Sequence, residues 1–201
     1  MVLPIETILA NLSRRGFVAE YYETKEDALQ GIMAQISPSE TVGIGGSMTV
    51  KELGLFDELT KQGNTIFWHW TDKSGQDVRP KALLSDVYFC SANALMDSGE
   101  PVVIDGGGNR AAAMFYGPKR CFIVCGVNKL VHGYDAAIER IKNVACPQNA
   151  RRLNMKTPCA ITDKCTECGP KQRMCRVTVR YSYPMTNRET HVVLINEKLG
   201  F

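Results

Sequence analysis

The chain has 201 residues, of which 44% are hydrophobic and 22% are charged, a balance typical of a globular protein and not of a disordered one. Its 24 basic and 21 acidic side chains give a formal net charge of +3, too small to indicate a nucleic acid or a membrane surface as a partner. The longest apolar runs fall short of the roughly 20 residues of a membrane span, and the N-terminus lacks a signal-peptide pattern. We therefore expect a cytoplasmic protein.

Helical and strand patterns alternate along most of the chain. Apolar spacing predicts a first helix over residues 5–15, a strand over 17–22 and a helix that begins after Thr24 and reaches Ile36. The elements expected next are a strand that runs into a glycine turn at 43–49, a helix through 50–59, a strand at 65–70, a short helix near 81–84, strands at 86–90 and 101–105, a helix at 111–116, a strand at 119–126 and a helix at 134–144. Such alternation predicts an α/β fold with a mostly parallel sheet flanked by helices.

The pattern changes after residue 145. A cysteine-rich, loop-like segment at 146–176 is followed by a β-rich run at 176–183 and a last strand at 191–196. The apolar character of the last strand suits burial in the main sheet. We expect a single domain over residues 1–201, with residues 146–176 as an excursion within it.

The first glycine turn, 43–49, carries the sequence Gly-Ile-Gly-Gly-Ser-Met-Thr. Glycine allows the backbone to approach a ligand closely, and Ser47 and Thr49 add hydroxyl donors at the start of a helix. The turn is neither a Walker A loop nor a G-x-G-x-x-G motif, so no nucleotide cofactor is predicted. A tight turn capped by Ser or Thr is the alternative interpretation.

A second turn, Asp105-Gly-Gly-Gly-Asn-Arg110, also follows a strand. An arginine there can hold a carboxylate or phosphate through two hydrogen bonds, and loops at the carboxyl ends of parallel strands lie close together. We predict one site for a small anionic ligand, a carboxylate or phosphate, formed by Gly45, Gly46, Ser47, Thr49, Gly107, Gly108, Asn109 and Arg110. Glu52 and His69 are the candidates for proton transfer there; a solvated glutamate and a structural histidine are the alternatives.

Eight cysteines are present. Three of them lie in apolar strand patterns and are expected in the core: Cys90, Cys121 and Cys125. Four others, Cys159, Cys165, Cys168 and Cys175, have a spacing that suits thiolate ligation of a metal centre, with Cys146 as a possible substitute. Residues 151–180 hold eight basic and two acidic side chains, a local charge of +6 that favours thiolates. The spacing does not distinguish a zinc ion from an iron–sulfur cluster. Disulfides or unliganded thiols are the alternatives to a metal centre.

Several segments resemble the LUD (lactate utilisation) domain family, DUF162, in their order and context. They are residues 43–49, 86–93, 108–110, 124–131, 137–142, 149–152 and 192–201. The resemblance covers residues 5–201. It implies a fold similar to the superfamily of ribose-5-phosphate isomerase, glucosamine-6-phosphate deaminase and CoA-transferases, in which glycine loops bind phosphate or carboxylate.

The resemblance also implies a function. It suggests an anion-binding subunit of a bacterial system that oxidises L-lactate, or a related 2-hydroxy acid, to pyruvate, with iron–sulfur proteins as partners. A metal-cluster protein for redox or electron transfer is the alternative. A nucleic-acid-binding role of the basic cysteine-rich segment ranks last, because no aromatic side chains are interleaved there. The sequence leaves open whether the protein forms a homo-oligomer.

Overall fold

The computed structural model describes residues 2–201. The strands are β1 (Val18–Tyr22), β2 (Thr41–Ile44), β3 (Thr65–Trp68), β4 (Val87–Cys90), β5 (Ala94–Met96), β6 (Glu100–Asp105), β7 (Arg120–Gly126), β8 (Leu130–Val131), β9 (Val177–Arg180) and β10 (Glu189–Ile195). The helices are α1 (Ile5–Arg14), α2 (Lys25–Met33), α3 (Met48–Leu53), α4 (Leu55–Gln62), α5 (Arg79–Leu83), α6 (Asn109–Phe115), α7 (Gly133–Arg140), α8 (Cys146–Arg152) and α9 (Pro158–Thr162). A 3-10 turn spans Val127–Lys129, and a π-helical segment, Ile141–Ala145, joins α7 to α8.

Six parallel strands form the main sheet, in the order β1-β10-β7-β4-β2-β3. This confirms the predicted mostly parallel sheet. The last strand, β10, pairs with both β1 and β7 and so lies inside the main sheet. The chain runs from β2 outward to β3, whereas β4 lies on the opposite side of β2. In sheets of this kind, ligands bind at the point where the strand order reverses.

Helices cover both faces of the main sheet, because side chains alternate along each strand. In β7, Cys121, Ile123 and Cys125 pack in one core with residues of α1, α5 and α6. Phe122 and Val124 point the other way and pack in a core with residues of α2, α3 and α4. The three cysteines predicted in the core are fully buried: Cys90, Cys121 and Cys125.

A second, smaller sheet has the order β8-β5-β6-β9. The sequence predicted β6 among the parallel strands, but it pairs antiparallel with β5 and with β9. Three residues, 97–99, connect β5 to β6, and Gly99 among them has a φ of +85°. A connection this short can join only antiparallel neighbours, because a parallel crossover needs about a dozen residues.

One predicted helix is divided in two, and another is shorter than expected. The helix predicted through 50–59 is divided into α3 and α4 at Gly54, whose φ of +78° lies in the left-handed region. Helix α2 begins after Thr24, whose hydroxyl accepts a hydrogen bond from the Asp27 N–H as a cap, but it ends at Met33 and not at Ile36. Within residues 2–201, none of the helices combines the length and the apolar character that a membrane crossing requires.

The cysteine-rich segment is less loop-like than predicted. Cys146 is buried at the start of α8, and Cys159 lies in α9. Residues 163–176 connect α9 to β9 without helix or strand. Because α8 continues directly from the π-helical segment, residues 146–152 extend the preceding helix instead of leaving the fold.

Candidate functional site

A cavity of about 130 Å³ opens at the carboxyl ends of the parallel strands. Loops after four strands contribute to its wall: Gly46 follows β2, His69 follows β3, Ser91 follows β4 and Lys129 follows β7. We name this cavity the anion cleft. It lies where the strand order reverses between β2 and β4, the position at which open α/β sheets bind ligands.

The anion cleft brings residues of both glycine turns together. Its wall includes the predicted residues Gly46, Ser47, Thr49, His69, Asn109 and Arg110. Four predicted residues, all within the described part of the chain, lie outside this wall: Gly45, Gly107, Gly108 and Glu52. Glu52 is exposed, and its carboxylate accepts a hydrogen bond of 2.7 Å from the Gly200 N–H. Its position therefore does not favour the proton-transfer role that the sequence suggested.

Two N–H groups of the second glycine turn, and that of the residue after it, are already bonded within the protein. Gly107 and Gly108 each donate to Asp105 Oδ1 over 3.1 Å, and Ala111 donates to Asp105 Oδ2 over 3.0 Å. Burial raises the pKa of Asp105, whereas the Arg110 charge and these three N–H groups lower it. The lowering effects together are larger, so the pKa of Asp105 lies below its usual 3.8. The Asp105 carboxylate thus occupies the place in which the sequence predicted an anionic ligand.

Arg110 is held in a fixed position at the wall. Its Nη2 donates to Asn93 Oδ1 over 3.0 Å and to the Ile104 carbonyl over 2.9 Å. Its Nε lies 3.7 Å from Asp105 Oδ2. Among residues 2–201, no acceptor binds Nη1, so one edge of the guanidinium remains for a ligand.

Lys129 is the residue that the sequence reasoning missed. Its side chain is buried, with the residue only 3% exposed, and Nζ donates to Thr49 Oγ1 over 2.6 Å and to Ser91 Oγ over 2.7 Å. A third bond of 3.2 Å goes to the Ala92 carbonyl. These three bonds use all three N–H donors of the ammonium. Because all three acceptors are neutral oxygen atoms, the positive charge has no direct counter-ion.

The environment of Lys129 makes its charged form costly. Burial lowers the pKa of Lys129 to about 8. The positive charges of Arg140 and Arg110 act in the same direction, whereas Cys125 and Glu52 oppose the shift. Near neutral pH the ammonium is therefore charged, but its charge is only weakly compensated.

The wall also carries His69 and an arginine stacked on an aromatic ring. Burial lowers the pKa of His69, and the charge of Arg79 acts in the same direction, so the imidazole is neutral at pH 7. The Arg152 guanidinium lies 4.5 Å from the centre of the Trp70 ring, within the range of a cation–π interaction. The charged residues of the whole wall are three basic ones and a single acidic one: Arg110, Lys129, Arg152 and Asp105.

His69 also corrects the sequence interpretation of its neighbourhood. Strand β3 ends at Trp68, so His69 and Trp70 belong to a turn and not to the strand predicted over 65–70. The two residues therefore do not alternate across a sheet face. Both line the anion cleft.

A second cavity, of about 660 Å³, adjoins the anion cleft. Five cysteines contribute to its wall, and we name it the thiol cavity: Cys146, Cys159, Cys165, Cys168 and Cys175. The Sγ atoms of Cys146 and Cys175 lie 3.2 Å apart, and both residues, with Ile104, line the anion cleft as well. Contact with the Cys146 thiol lowers the pKa of Cys175 to about 7. Among residues 2–201, no three Cys, His, Asp or Glu side chains are arranged to hold a metal ion.

Comparison with known proteins decides the family. The model of the LUD domain family matches residues 5–195. The chain belongs to the LUD domain family. The crystal structure of a DUF162 family protein from Deinococcus radiodurans is similar to this LUD domain with a TM-score of 0.53 and 12% identity, over 96% of this chain and 99% of that one. At this identity the likeness shows the fold. No curated protein matches the chain.

Lys129 lies in one of the segments, 124–131, that carries the resemblance to the LUD domain family. The signal that could have revealed it is a lone charged residue between the apolar run 121–127 and the apolar pair Leu130-Val131. Lysine is almost never fully buried without a partner, so a lysine in such a context is a candidate for function. The sequence alone does not show that Thr49 and Ser91 meet it.

Proposed function

We propose that this LUD domain binds a small carboxylate of the 2-hydroxy-acid class, with L-lactate as the first candidate, in the anion cleft. In this proposal it serves as a subunit of a system that oxidises L-lactate to pyruvate. Membership of the LUD domain family supports a role in lactate utilisation. The single observation that carries the proposal is the buried Lys129 ammonium, whose hydrogen-bond partners are all neutral.

A buried charge without a counter-ion is costly, and an anion that enters the cleft relieves that cost. The carboxylate would be placed between Lys129 Nζ and the free edge of Arg110, with Arg152 adding charge at the rim. The approximately 130 Å³ of the cleft is below the roughly 300–1,000 Å³ of sites for drug-sized ligands, which favours a small acid.

The remaining groups suit a hydroxyl substituent. Ser47 Oγ accepts a hydrogen bond of 3.2 Å from the Val50 N–H, and its own hydroxyl proton remains for a ligand. The neutral imidazole of His69 is in the protonation state that can take the hydroxyl proton of a 2-hydroxy acid. His69 accounts for the hydroxyl proton only; in this proposal the C2 hydrogen and the two electrons of the oxidation leave to the partner proteins of the system, which carry out the redox step.

Titration calorimetry with L-lactate tests the proposal, with pyruvate and phosphate as competing anions and uncharged lactamide as the control ligand. We expect Lys129→Met to weaken L-lactate binding by about 10- to 150-fold, because it removes the buried positive charge beside the carboxylate, and a close pair of opposite charges contributes about 1.5–3 kcal/mol or more. Lys81→Met removes an exposed lysine outside the cleft and should leave the affinity unchanged.

Thermal melting of each variant verifies that it is folded. Binding of lactamide as tight as that of L-lactate, or equal affinity of the wild type and Lys129→Met, would overturn the proposal. If phosphate alone binds with the expected dependence on Lys129, the anion site is retained and the 2-hydroxy-acid class is wrong.

A further inference from the structure

Two cysteine side chains from different segments meet at the boundary between the two cavities. The Sγ atoms of Cys146 and Cys175 lie 3.2 Å apart, and both residues line the thiol cavity as well as the anion cleft. Cys165, another cysteine of the thiol cavity, instead places its Sγ 3.8 Å from Glu167 Oε1. We name Cys146 and Cys175 the paired thiols.

Ordered backbone supports each of the paired thiols. Cys146 is the first residue of α8, which continues without a break from the π-helical segment. Cys175 is followed by Arg176, whose N–H donates to the Asp105 carbonyl over 2.9 Å and joins this segment to the end of β6. The two sulfur atoms are therefore brought together by the fold itself.

A second contact joins the same two segments. Asn149, one turn after Cys146 on α8, donates from Nδ2 to Met174 Sδ over 3.3 Å. The backbone also packs closely there, because a Cβ at Gly106 would lie 2.6 Å from the Met174 carbonyl oxygen. The paired thiols thus belong to a packed junction between α8 and the segment that precedes β9.

We propose that Cys146 and Cys175 are a site of reversible oxidation, at which a small peroxide converts the two thiols into a disulfide that crosslinks α8 to the segment before β9. An S–S bond is about 2.05 Å long, so the sulfur atoms need to approach by only about 1.2 Å from their 3.2 Å separation. Because both residues line the anion cleft, the bond would alter the wall of that cleft. The assignment does not depend on which acid the cleft binds.

The reaction proceeds in two steps with hydrogen peroxide as the oxidant. The thiolate of one cysteine attacks a peroxide oxygen, the O–O bond breaks, and a sulfenic acid and hydroxide result. The second thiol then attacks the sulfenic sulfur, the S–S bond forms and water leaves. In total, two thiols and one hydrogen peroxide give one disulfide and two water molecules.

The surroundings assign the first step to Cys175. Its side chain is half-buried, whereas Cys146 is only 6% exposed, so an oxidant in the thiol cavity reaches Cys175 more easily. Arg173 Nε donates to the Cys175 carbonyl over 2.6 Å, and a guanidinium beside a thiol favours the reactive thiolate. Cys146 then acts as the thiol that resolves the sulfenic acid.

The test is a map of the thiols in the full chain, reduced with dithiothreitol, treated with a chelator and then exposed to one equivalent of hydrogen peroxide. Free thiols are alkylated in denaturant, and mass spectrometry of proteolytic fragments locates the disulfide. We expect fragments joined through Cys146 and Cys175, and a fall in free thiols from the eight of the sequence to six. Dithiothreitol should restore all eight.

Variants separate the roles of the two thiols. Cys146→Ser should lose the crosslink and leave Cys175 as a sulfenic acid, which dimedone labels. Cys159→Ser removes another cysteine of the thiol cavity and is the matched control, in which the crosslink should persist. Circular dichroism shows whether each variant is folded. If Cys146→Ser does not fold, Cys175→Ser, at the half-buried position, replaces it and should also lose the crosslink.

Three results would overturn the proposal. The first is oxidation that mainly joins other cysteines, such as Cys165 and Cys168, or that produces sulfinic acid without a crosslink. The second is a wild-type chain that keeps eight free thiols after the treatment. The third is iron or zinc bound to the chain as purified and lost in a folded Cys175→Ser variant, because the thiolate would then be a metal ligand and not a partner of Cys146.

Discussion

The ammonium of Lys129 lies 2.6 Å from the hydroxyl of Thr49, and both residues are buried. Thr49 belongs to α3, directly after the first glycine turn, whereas Lys129 ends the 3-10 turn that follows β7. Strand β4 lies between β2 and β7 in the sheet, so the contact joins two loops across an intervening strand. The first glycine turn is thereby linked to the only lysine that lines the anion cleft among the described residues.

Replacing Thr49 by valine tests how much this contact stabilises the fold. Thr49→Val keeps the shape of the side chain but removes an acceptor of Lys129 and the donor, over 3.3 Å, to the Leu199 carbonyl. We expect the free energy of unfolding to fall by about 1–3 kcal/mol, measured by urea denaturation, because buried polar groups lose their partner.

A second threonine provides the control. Thr60 Oγ1 donates to the Phe56 carbonyl on an exposed part of α4. Thr60→Val should therefore change the free energy of unfolding by less than about 0.5 kcal/mol. Equal losses in the two variants would mean that the buried ammonium gains nothing from the Thr49 hydroxyl.

The low pKa of Lys129 predicts opposite effects of pH on stability and on binding. Lys129 has a pKa of about 8 in the folded chain, against its usual 10.5. Between these values the unfolded chain holds more protons, so the contribution of Lys129 to the free energy of unfolding rises with pH, by about 2–3 kcal/mol between pH 7 and 10. Urea denaturation of the wild type and Lys129→Met across this range isolates the difference.

Anion binding should change in the other direction. As pH rises through about 8, Lys129 loses its charge, and the affinity for a carboxylate should fall. Calorimetry at pH 7 and pH 9.5 measures this decrease in affinity. In the Lys129→Met variant the affinity should change little between the two pH values. An affinity that stays constant over this range would contradict a role of the ammonium in binding.

Much of the fold could be predicted because local signals and tertiary structure agree. Thr24 caps α2 as its sequence context indicates, and the apolar run at 192–195 lies within β10, which has a neighbouring strand on each side in the main sheet. The second sheet could not be predicted in this way. Strands β5 and β8 have only three and two residues, too short for a periodic pattern to show.

The candidate site was predictable only in part. The sequence shows that glycines and an arginine follow strands. It does not show which of their hydrogen-bond donors are bonded to acceptors within the protein itself. Asp105 is followed directly by the three glycines of the turn. Its carboxylate accepts hydrogen bonds from the N–H groups of Gly107 and Gly108. Likewise, the burial of Lys129 depends on Ser91 and Thr49, which are 38 and 80 residues away in the chain.

The role of Asp105 can be tested by Asp105→Asn. The amide keeps one oxygen acceptor but removes the charge beside Arg110 and presents a donor toward the Ala111 N–H. We expect the free energy of unfolding at pH 7 to fall by about 1.5–3 kcal/mol. Because the folded pKa of Asp105 is below 3.8, the difference from the wild type should be complete above that pH and should shrink as pH falls through the folded value.

An exposed aspartate gives the matched comparison for this prediction. Asp57 lies in the first turn of α4, where a carboxylate contributes about 0.3–1 kcal/mol through the helix dipole. Asp57→Asn should therefore cost less than Asp105→Asn in the same urea denaturation. A pH-independent difference between Asp105→Asn and the wild type would show that the charge of Asp105 does not matter.

Gly43 and Gly54 are both glycines near the first turn, but the structure assigns them different roles. A Cβ at Gly43 would lie 2.4 Å from the Ala82 carbonyl oxygen and 2.6 Å from Ser85 Oγ, so helix α5 packs directly on the backbone of β2. At Gly54 a Cβ would meet no atom within 4 Å, but the φ of +78° is unfavourable for other residues.

We therefore expect Gly43→Ala to cost more than Gly54→Ala. The first change forces α5 away from the sheet, because the closest atom belongs to the backbone and cannot rotate aside; overpacking of this kind costs about 1–3 kcal/mol or more. The second adds only the strain of a left-handed backbone, about 1–2 kcal/mol. Urea denaturation of both variants measures the difference, and calorimetry with L-lactate shows whether the displaced β2 also weakens the anion cleft. A smaller loss in Gly43→Ala than in Gly54→Ala would mean that α5 can shift at little cost and that Gly43 is not required for its packing.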